Sequence, residues 1–351
     1  MKSGDSRPIL VTGGGGFLGS AIVRLLREQD FSVRILCRRH YPELDPLDVL
    51  QLRGDVADRA VVDQAVRGCQ TVFHVAAKAG LWGPRREYYA TNVTGTKNVL
   101  HACRRFGVPR LIFTSSPSVV FNGCDLEGVD ESVPYAVRQH AAYPATKALA
   151  EQAVLAANDR NLATIALRPH LIWGPGDNNI LPRLFARARA GRLYRIGRGN
   201  PLIDLTYIDN AAEAHLLAAD RLEPGSSISG RPYFIAQGQP VPLWDMVNRL
   251  LEAAELPPVT KSVPLPVAMV TGAVLEAFYA LLRIPGEPRM TRFLARELST
   301  SHWYNLEAAR RDLGYSPRVD LEEGLRRLAA SLKARNPRST EVVGRSERID
   351  V

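Results

Sequence analysis

Cysteine is scarce in this chain of 351 residues. Its four thiols, Cys37, Cys69, Cys103 and Cys124, stand far apart, with no CxxC pair and no cysteine–histidine cluster. A disulfide framework is excluded, no metal site is expected, and free thiols suit a reducing compartment. Lysine is scarce too, six residues among 45 cations, the rest being arginine. Those arginines are scattered rather than gathered in a stripe. The net charge of +9 therefore reads as a compositional habit with a few anion contacts, and no nucleic-acid partner is expected. The opening stretch MKSGDSRPILVTGG has no apolar core of the secretory-leader kind, and a cytoplasmic location is the expectation. Only one long apolar run exists, PVAMVTGAVLEAFYALLRI from Pro266 to Ile284, with Glu276 at its middle and Gly272 weakening it. It is expected to form an amphipathic or buried helix over an apolar site, with peripheral membrane contact as the second reading.

What is present alternates. PILVTGG ends in glycines and precedes the helical pattern FLGSAIVRLLREQ; FSVRILCR, QTVFHVAA, PRLIFTSSPSV and LATIALRPHLIWG are further apolar, β-branched runs. Helical patterns lie between them, among them RAVVDQAVRGC and YYATNVTGTKNVLHACRRFG. Strands alternating with helices predict an α/β fold: a Rossmann-type doubly wound parallel sheet, buried on both faces. After Trp173 the pattern loosens into loops and proline-rich joints, which predicts a smaller, mostly helical C-terminal substrate-covering region. The expected division is a nucleotide-binding domain over 1–172, a substrate region over 173–335 and a disordered basic tail over 336–351. Part of 203–222 is expected to return to the first domain, where Asp209 reads as a helix cap.

The stretch VTGGGGFLGSAIVRLL carries Gly13, Gly16 and Gly19 at intervals of three, and also fits G-x-G-x-x-G from Gly14. Between a strand and a helix, such glycines let the backbone approach a pyrophosphate, with Phe17 and Leu18 opening a helix whose amides face it. The second strand ends in Cys37, Arg38 and Arg39 with no carboxylate. Arg38 suits a ribose 2′-phosphate, so NADP(H) is favoured and NAD(H) is the alternative. Asp55, followed by Val56, is either an adenine contact or a turn residue.

The glycine loop, FTSSPSV, YPATK and RPHLIWGPG, in that order, resemble the extended short-chain dehydrogenase/reductase family from Ile9 to about Leu332. The resemblance implies a catalytic set of Tyr143, Lys147, Ser116 (Ser115 being its neighbouring candidate) and Asn92. It also implies that Ala76 and Ala77 line the cofactor groove and that Pro169 to Ile172 meet the nicotinamide. A phenol titrates near 10, so the Lys147 ammonium one turn away, with the positive nicotinamide of an oxidised cofactor, would have to lower it before it could exchange protons at neutral pH. Tyr143 would then give its proton to a developing alkoxide while Ser116 held the carbonyl oxygen. His74 and His170 read as packed histidines.

Within that family the chain is similar to the 3β-hydroxysteroid dehydrogenase branch. Closer still, HVAAKAGLWGP, TYIDNAAEAH and HWYNLEAARRDLGYSPRVDLEEGL resemble the 2-alkyl-3-oxoalkanoate reductases of bacterial long-chain olefin biosynthesis. This implies a two-chain β-keto acid substrate, a β-lactone-forming enzyme as partner in the pathway, and room for a homodimer. SVVFNGCDLEG departs from that pattern and resembles sterol-4-carboxylate 3-dehydrogenases instead. Arg183, Arg187, Arg189 and Arg192 are the cations nearest in sequence for a substrate carboxylate, with none assigned. A non-catalytic dinucleotide sensor is the remaining alternative.

Overall fold

The computed structural model describes residues 6–137 and 141–335; the expected disordered tail lies outside them. Seven parallel strands form the main sheet: β1 (Ile9–Thr12), β2 (Val33–Cys37), β3 (Leu50–Arg53), β4 (Thr71–His74), β5 (Arg110–Thr114), β6 (Ala163–Pro169) and β7 (Arg231–Ile235). Their spatial order is β7-β6-β5-β4-β1-β2-β3. The order reverses between β1 and β4, and a crevice at the carboxyl ends of those strands is where such sheets bind ligands.

Five helices cover this sheet: α1 (Phe17–Glu28), α2 (Arg59–Val66), α3 (Gly95–Arg105), α4 (Ala142–Ala156) and α5 (Ile208–Arg221). Side chains alternate across each strand, so one sequence feeds two cores. Ile9, Val11 and Ile35 join Ile22, Val23 and Leu26 of α1 and Ala211 and Ala218 of α5 on one face. Leu10, Leu36 and Val72 join Val62 of α2, Val99 of α3 and Val154 of α4 on the other. Both faces are apolar, as parallel strands require.

The C-terminal region is mostly helical and also carries short strands. A second sheet pairs Val241–Pro242, Leu202–Ile203, His302–Tyr304 and Leu126–Val129, so a strand from the first half of the chain is knitted into it. Asp209 is not a cap. Tyr207 takes that position without a side-chain bond, and Asp209 lies one residue into the helix, paired with Arg327 at 3.0 Å.

Two further helices matter for the site, α6 (Leu265–Leu282) and α7 (Arg292–Glu297). Gly272 lets them touch: a Cβ there would lie 2.8 Å from the Arg292 backbone nitrogen. Of the two forms expected for α6, amphipathic or buried, the buried one is not found. Among its residues only Ala268 and Gly272 are buried, while Val267, Val270, Val274, Phe278, Leu281 and Leu282 face outward.

Candidate active site

The glycine loop follows β1 at the switch point. Gly13 has φ +70°, and a Cβ on it would lie 2.9 Å from the Ala76 backbone. A Cβ on Gly19 would lie 2.1 Å from the Gly13 carbonyl oxygen, so α1 packs against the turn with no room for a side chain. Gly16 is the N-cap of α1 and offers no side chain to the first amides. Those free donors and the positive end of the helix make a cradle that fits a pyrophosphate. Phe17 is half-buried and Leu18 buried behind it. Ala76 and Ala77 follow β4 across the crevice, Ala77 exposed. Arg38 is exposed just past β2 and makes no ion pair among the described residues, whereas Arg39 lies over the Tyr41 ring at 4.9 Å. Asp55 is exposed, and its carboxylate accepts from the Ala57 amide at 2.9 Å; Val56 beside it is buried against Gly95.

Helix α4 begins at Ala142, with Pro144 in its first turn where no intrahelical donor is needed. Tyr143 and Lys147 therefore share one face, as their spacing predicts. Tyr143 is hydrogen-bonded to Ser116, which follows β5 and also accepts the Ser118 amide at 3.2 Å. The Lys147 ammonium donates to the Thr114 carbonyl at 2.5 Å and stands over the Phe113 ring at 4.0 Å. Burial pulls it down to about 7, opposed by Glu151. The chain's own groups do not acidify Tyr143. Burial raises it, the Ser116 bond works against that, and Glu297 adds to the rise. Desolvation dominates here because, among the described residues, no cation acts on the phenol strongly enough to offset it.

The chain matches the 3-beta hydroxysteroid dehydrogenase/isomerase family over residues 10–267. It belongs to that family. The 2-alkyl-3-oxoalkanoate reductase of Stenotrophomonas maltophilia is 53% identical over 93% of this chain and 99% of its own. The decarboxylating sterol-4-alpha-carboxylate 3-dehydrogenase of Mus musculus is 34% identical over 92% and 90%. Among solved structures, MoeE5 in complex with UDP-glucose and NAD superposes with a TM-score of 0.72 at 26% identity, over 93% of this chain and 99% of that one. As a 3-beta hydroxysteroid dehydrogenase/isomerase family member, the chain is an NAD(P)-dependent oxidoreductase.

In this family member the other predicted residues divide. Among the described residues, Asn92 makes no side-chain hydrogen bond to Tyr143 or Lys147. It lies in a π-turn, Tyr89–Thr94, within the long helix leading to α3. Its amide accepts from the Lys78 amide at 2.8 Å and donates to the Lys78 carbonyl at 3.1 Å and to Thr146 at 3.0 Å. It thus ties the loop after β4 to the helix carrying Tyr143. Ser115 also leaves the groove: its hydroxyl donates to the buried Glu151 carboxylate. Pro169 ends β6 buried, and Ile172 pairs with Thr206, half-exposed.

Three histidines are packed and neutral. Thr96 donates to the Asn92 carbonyl at 2.6 Å, so its oxygen accepts from His74 Nε2 at 3.0 Å. His74 Nδ1 then accepts from the Thr12 hydroxyl at 2.7 Å, whose oxygen takes the Ala76 amide at 3.2 Å. Burial pushes His74 down to about 3, with Lys147 adding to it, and holds His170 and His215 near 4. His215 anchors the Thr114 hydroxyl at 2.8 Å, beside the carbonyl that receives Lys147.

Sequence reasoning missed Glu151 and Arg168. Glu151 continues the Tyr143–Lys147 row by one more turn and is fully buried; Arg168, from β6, meets it at 2.6 Å, and Tyr135 donates to it at 2.7 Å. A charged residue on the inward row of α4 was the available signal.

A cavity of about 430 Å³ opens beside Ala141 and Ala142, next to Tyr143. Leu81, Trp82 and Phe293 line it with Ala273 and Ala277 of α6, and Glu276 and Arg292 add a charged side to the same wall. Of the arginine cluster, Arg183 is paired with Glu287 at 2.9 Å; Arg187 is half-buried and bonds the Arg289 carbonyl at 3.0 Å; Arg189 and Arg192 are exposed. Glu297, at the end of α7, acts electrostatically on both Tyr143 and Tyr304, and burial pushes its carboxyl up to about 7. The folded chain thus holds a proton that the unfolded chain releases near 4.5, so stability falls as pH rises from 4.5 to 7 and stays reduced above it. Glu297→Gln removes that cost. Thermal melts are expected to show no stabilisation at pH 4.5 and a gain on the order of 1–3 kcal/mol at pH 8.

Proposed function

We propose that this chain is an NADP(H)-dependent ketoreductase that converts the 3-keto group of a long-chain 2-alkyl-3-oxoalkanoate to the 3-hydroxy acid. The carrying observation is Tyr143, bonded to Ser116 one residue along the chain from a cavity with both apolar and polar walls, in a chain 53% identical along nearly all its length to a protein of that name. In the cytoplasm its product would pass to a β-lactone-forming enzyme.

Each group has a definite task. Gly13, Gly16 and Gly19 give the dinucleotide backbone-close access, and the amides opening α1 hold its phosphates. A nicotinamide held there would supply hydride to the carbonyl carbon. Ser116 and Tyr143 hold the carbonyl oxygen, and the Tyr143 phenol, kept protonated by burial, gives its proton to the alkoxide as charge develops. Lys147 holds a proton that is exchangeable near neutral pH and lies within the same helix face. The alanine-rich wall admits alkyl chains, each buried methylene contributing about 0.8 kcal/mol.

Arg38 supports the choice of NADP(H), because its guanidinium is exposed and unpaired among the described residues where an acid would select NAD(H). Arg38→Asp is expected to lower the NADPH-to-NADH ratio of kcat/KM by about 10–100-fold, the loss of one charge-assisted phosphate contact. Steady-state kinetics with both cofactors checks this. The function itself is tested by NADPH oxidation with purified protein, comparing a long-chain 2-alkyl-3-keto acid with a 3-ketosteroid. A sterol-4-carboxylate alcohol with NAD is the third arm, motivated by the mouse relative. Turnover of the keto acid alone supports the proposal. Turnover confined to the sterol alcohol with NAD overturns both substrate and cofactor.

A further inference from the structure

We infer that Glu297 receives the carboxylate of the substrate, donating a hydrogen bond to it as a neutral acid. This rests on the keto-acid function proposed above and supplies the contact that the arginine cluster does not. On both walls the chain leads from the cavity toward the phenol. Ala142 lines the cavity and directly precedes Tyr143. Phe293 lines it too and precedes Glu297 by one helical turn, so the two share a face of α7. Tyr143 and Glu297 each keep part of their surface open although burial raises both, which places them beside a recess rather than in the closed core. Among the described residues, Glu297 is the one charged group that acts on the phenol, and its own carboxyl has no hydrogen-bond or ion-pair partner.

Chemistry selects a neutral acid. In a β-keto acid the carboxyl carbon lies two bonds from the ketone carbon, so with the ketone oxygen on Tyr143 and Ser116 the carboxylate stays close by. The cations around the site are already engaged: Arg292 with Glu276 at 2.7 Å, Arg183 with Glu287 at 2.9 Å, Lys78 with Glu87 at 3.0 Å and Arg168 with Glu151 at 2.6 Å. An ionised Glu297 would repel the substrate; a protonated one shares its proton in a charge-assisted O–H···O bond. Burial keeps it protonated up to about 7. The other titratable groups around it are Tyr143 and Lys147 of α4, Tyr304 and His302 of the second sheet, Asp204 acting on Tyr304, and the paired Glu276. Of these, Lys147 at about 7 and Asp204 at about 6 lie in the same range, so the test has to separate them from Glu297.

The test compares KM for a 2-alkyl-3-keto acid and its methyl ester across neutral pH. The acid stays ionised throughout, and a group that serves both substrates alike cancels in the ratio. In the wild type the acid-to-ester KM ratio is expected to be flat below about 7 and to rise roughly ten-fold per pH unit above it, one proton being taken up on binding. Glu297→Gln keeps a donor that does not titrate, so its ratio should stay flat. Glu297→Ala should raise the ratio about ten-fold or more even in mild acid, the loss of one hydrogen bond to a charged group. A flat wild-type ratio overturns the inference, as does a rise that Glu297→Gln retains, which would assign the proton to Lys147 or Asp204. In both cases turnover of acid and ester leaves the ketoreductase function standing. Turnover of neither overturns that function and this contact together.

Discussion

Tyr143→Phe is expected to lower kcat by roughly 10²–10⁴-fold, the range for a positioned general acid, with the Kd for NADPH unchanged. The variant keeps the ring, its packing and the α4 helix, and removes one oxygen. Ser116 survives to hold the carbonyl oxygen, so residual turnover should remain, limited by a proton drawn from water. Single-turnover oxidation of NADPH, followed beside fluorescence titration of the cofactor, separates the two effects. Wild-type rates in the variant would remove the phenol from the mechanism. A wild-type chain that bound NADPH tightly but turned over none of the three substrates would be a dinucleotide sensor. Burial raises the phenol, so Tyr143 is protonated through neutral pH in the free chain.

The second large effect lies beneath the site. Arg168→Leu is expected to destabilise the protein by about 3–5 kcal/mol, measured by urea unfolding, because it strands a fully buried Glu151 carboxylate. The pair itself need not be strongly stabilising, since each ion gave up water to reach it. Glu151→Leu/Arg168→Leu should therefore recover much of the loss, a non-additivity that a double-mutant cycle reads directly. Activity should not recover to the same extent. Glu151 lies one turn past Lys147 and also receives Ser115 and Tyr135, so the pair holds α4 in register with the end of β5. If the single variant unfolds at the wild-type urea midpoint, the carboxyl has found another partner or a proton.

Legibility followed distance along the chain. Tyr143 and Lys147 share a face because four residues of helix bring them together, and the glycine loop was readable because β1, the turn and α1 are contiguous. The sheet followed from its apolar, alternating runs. Asn92 was identified but its task was not: the π-turn and its bonds to Lys78 and Thr146 depend on how three separate segments meet. The directed chain from Ala76 through Thr12, His74 and Thr96 was out of reach for the same reason. Asp209 shows the limit of local cap signals, since Asp209 binds Arg327 instead.

Helix α6 marks the boundary most sharply. From composition alone it was a helix, apolar, with one acid; nothing in its period says whether an apolar stripe faces a core, a partner or a lipid. Local propensity and spacing act through near neighbours, so they set the elements, the parallel sheet and the Tyr143–Lys147 row. Burial, the neutral histidines, the Glu151–Arg168 pair and the outward turn of Val270, Val274 and Phe278 arise from contacts between distant segments. Desolvation and packing are properties of the assembled chain, and they exist only once those segments have met.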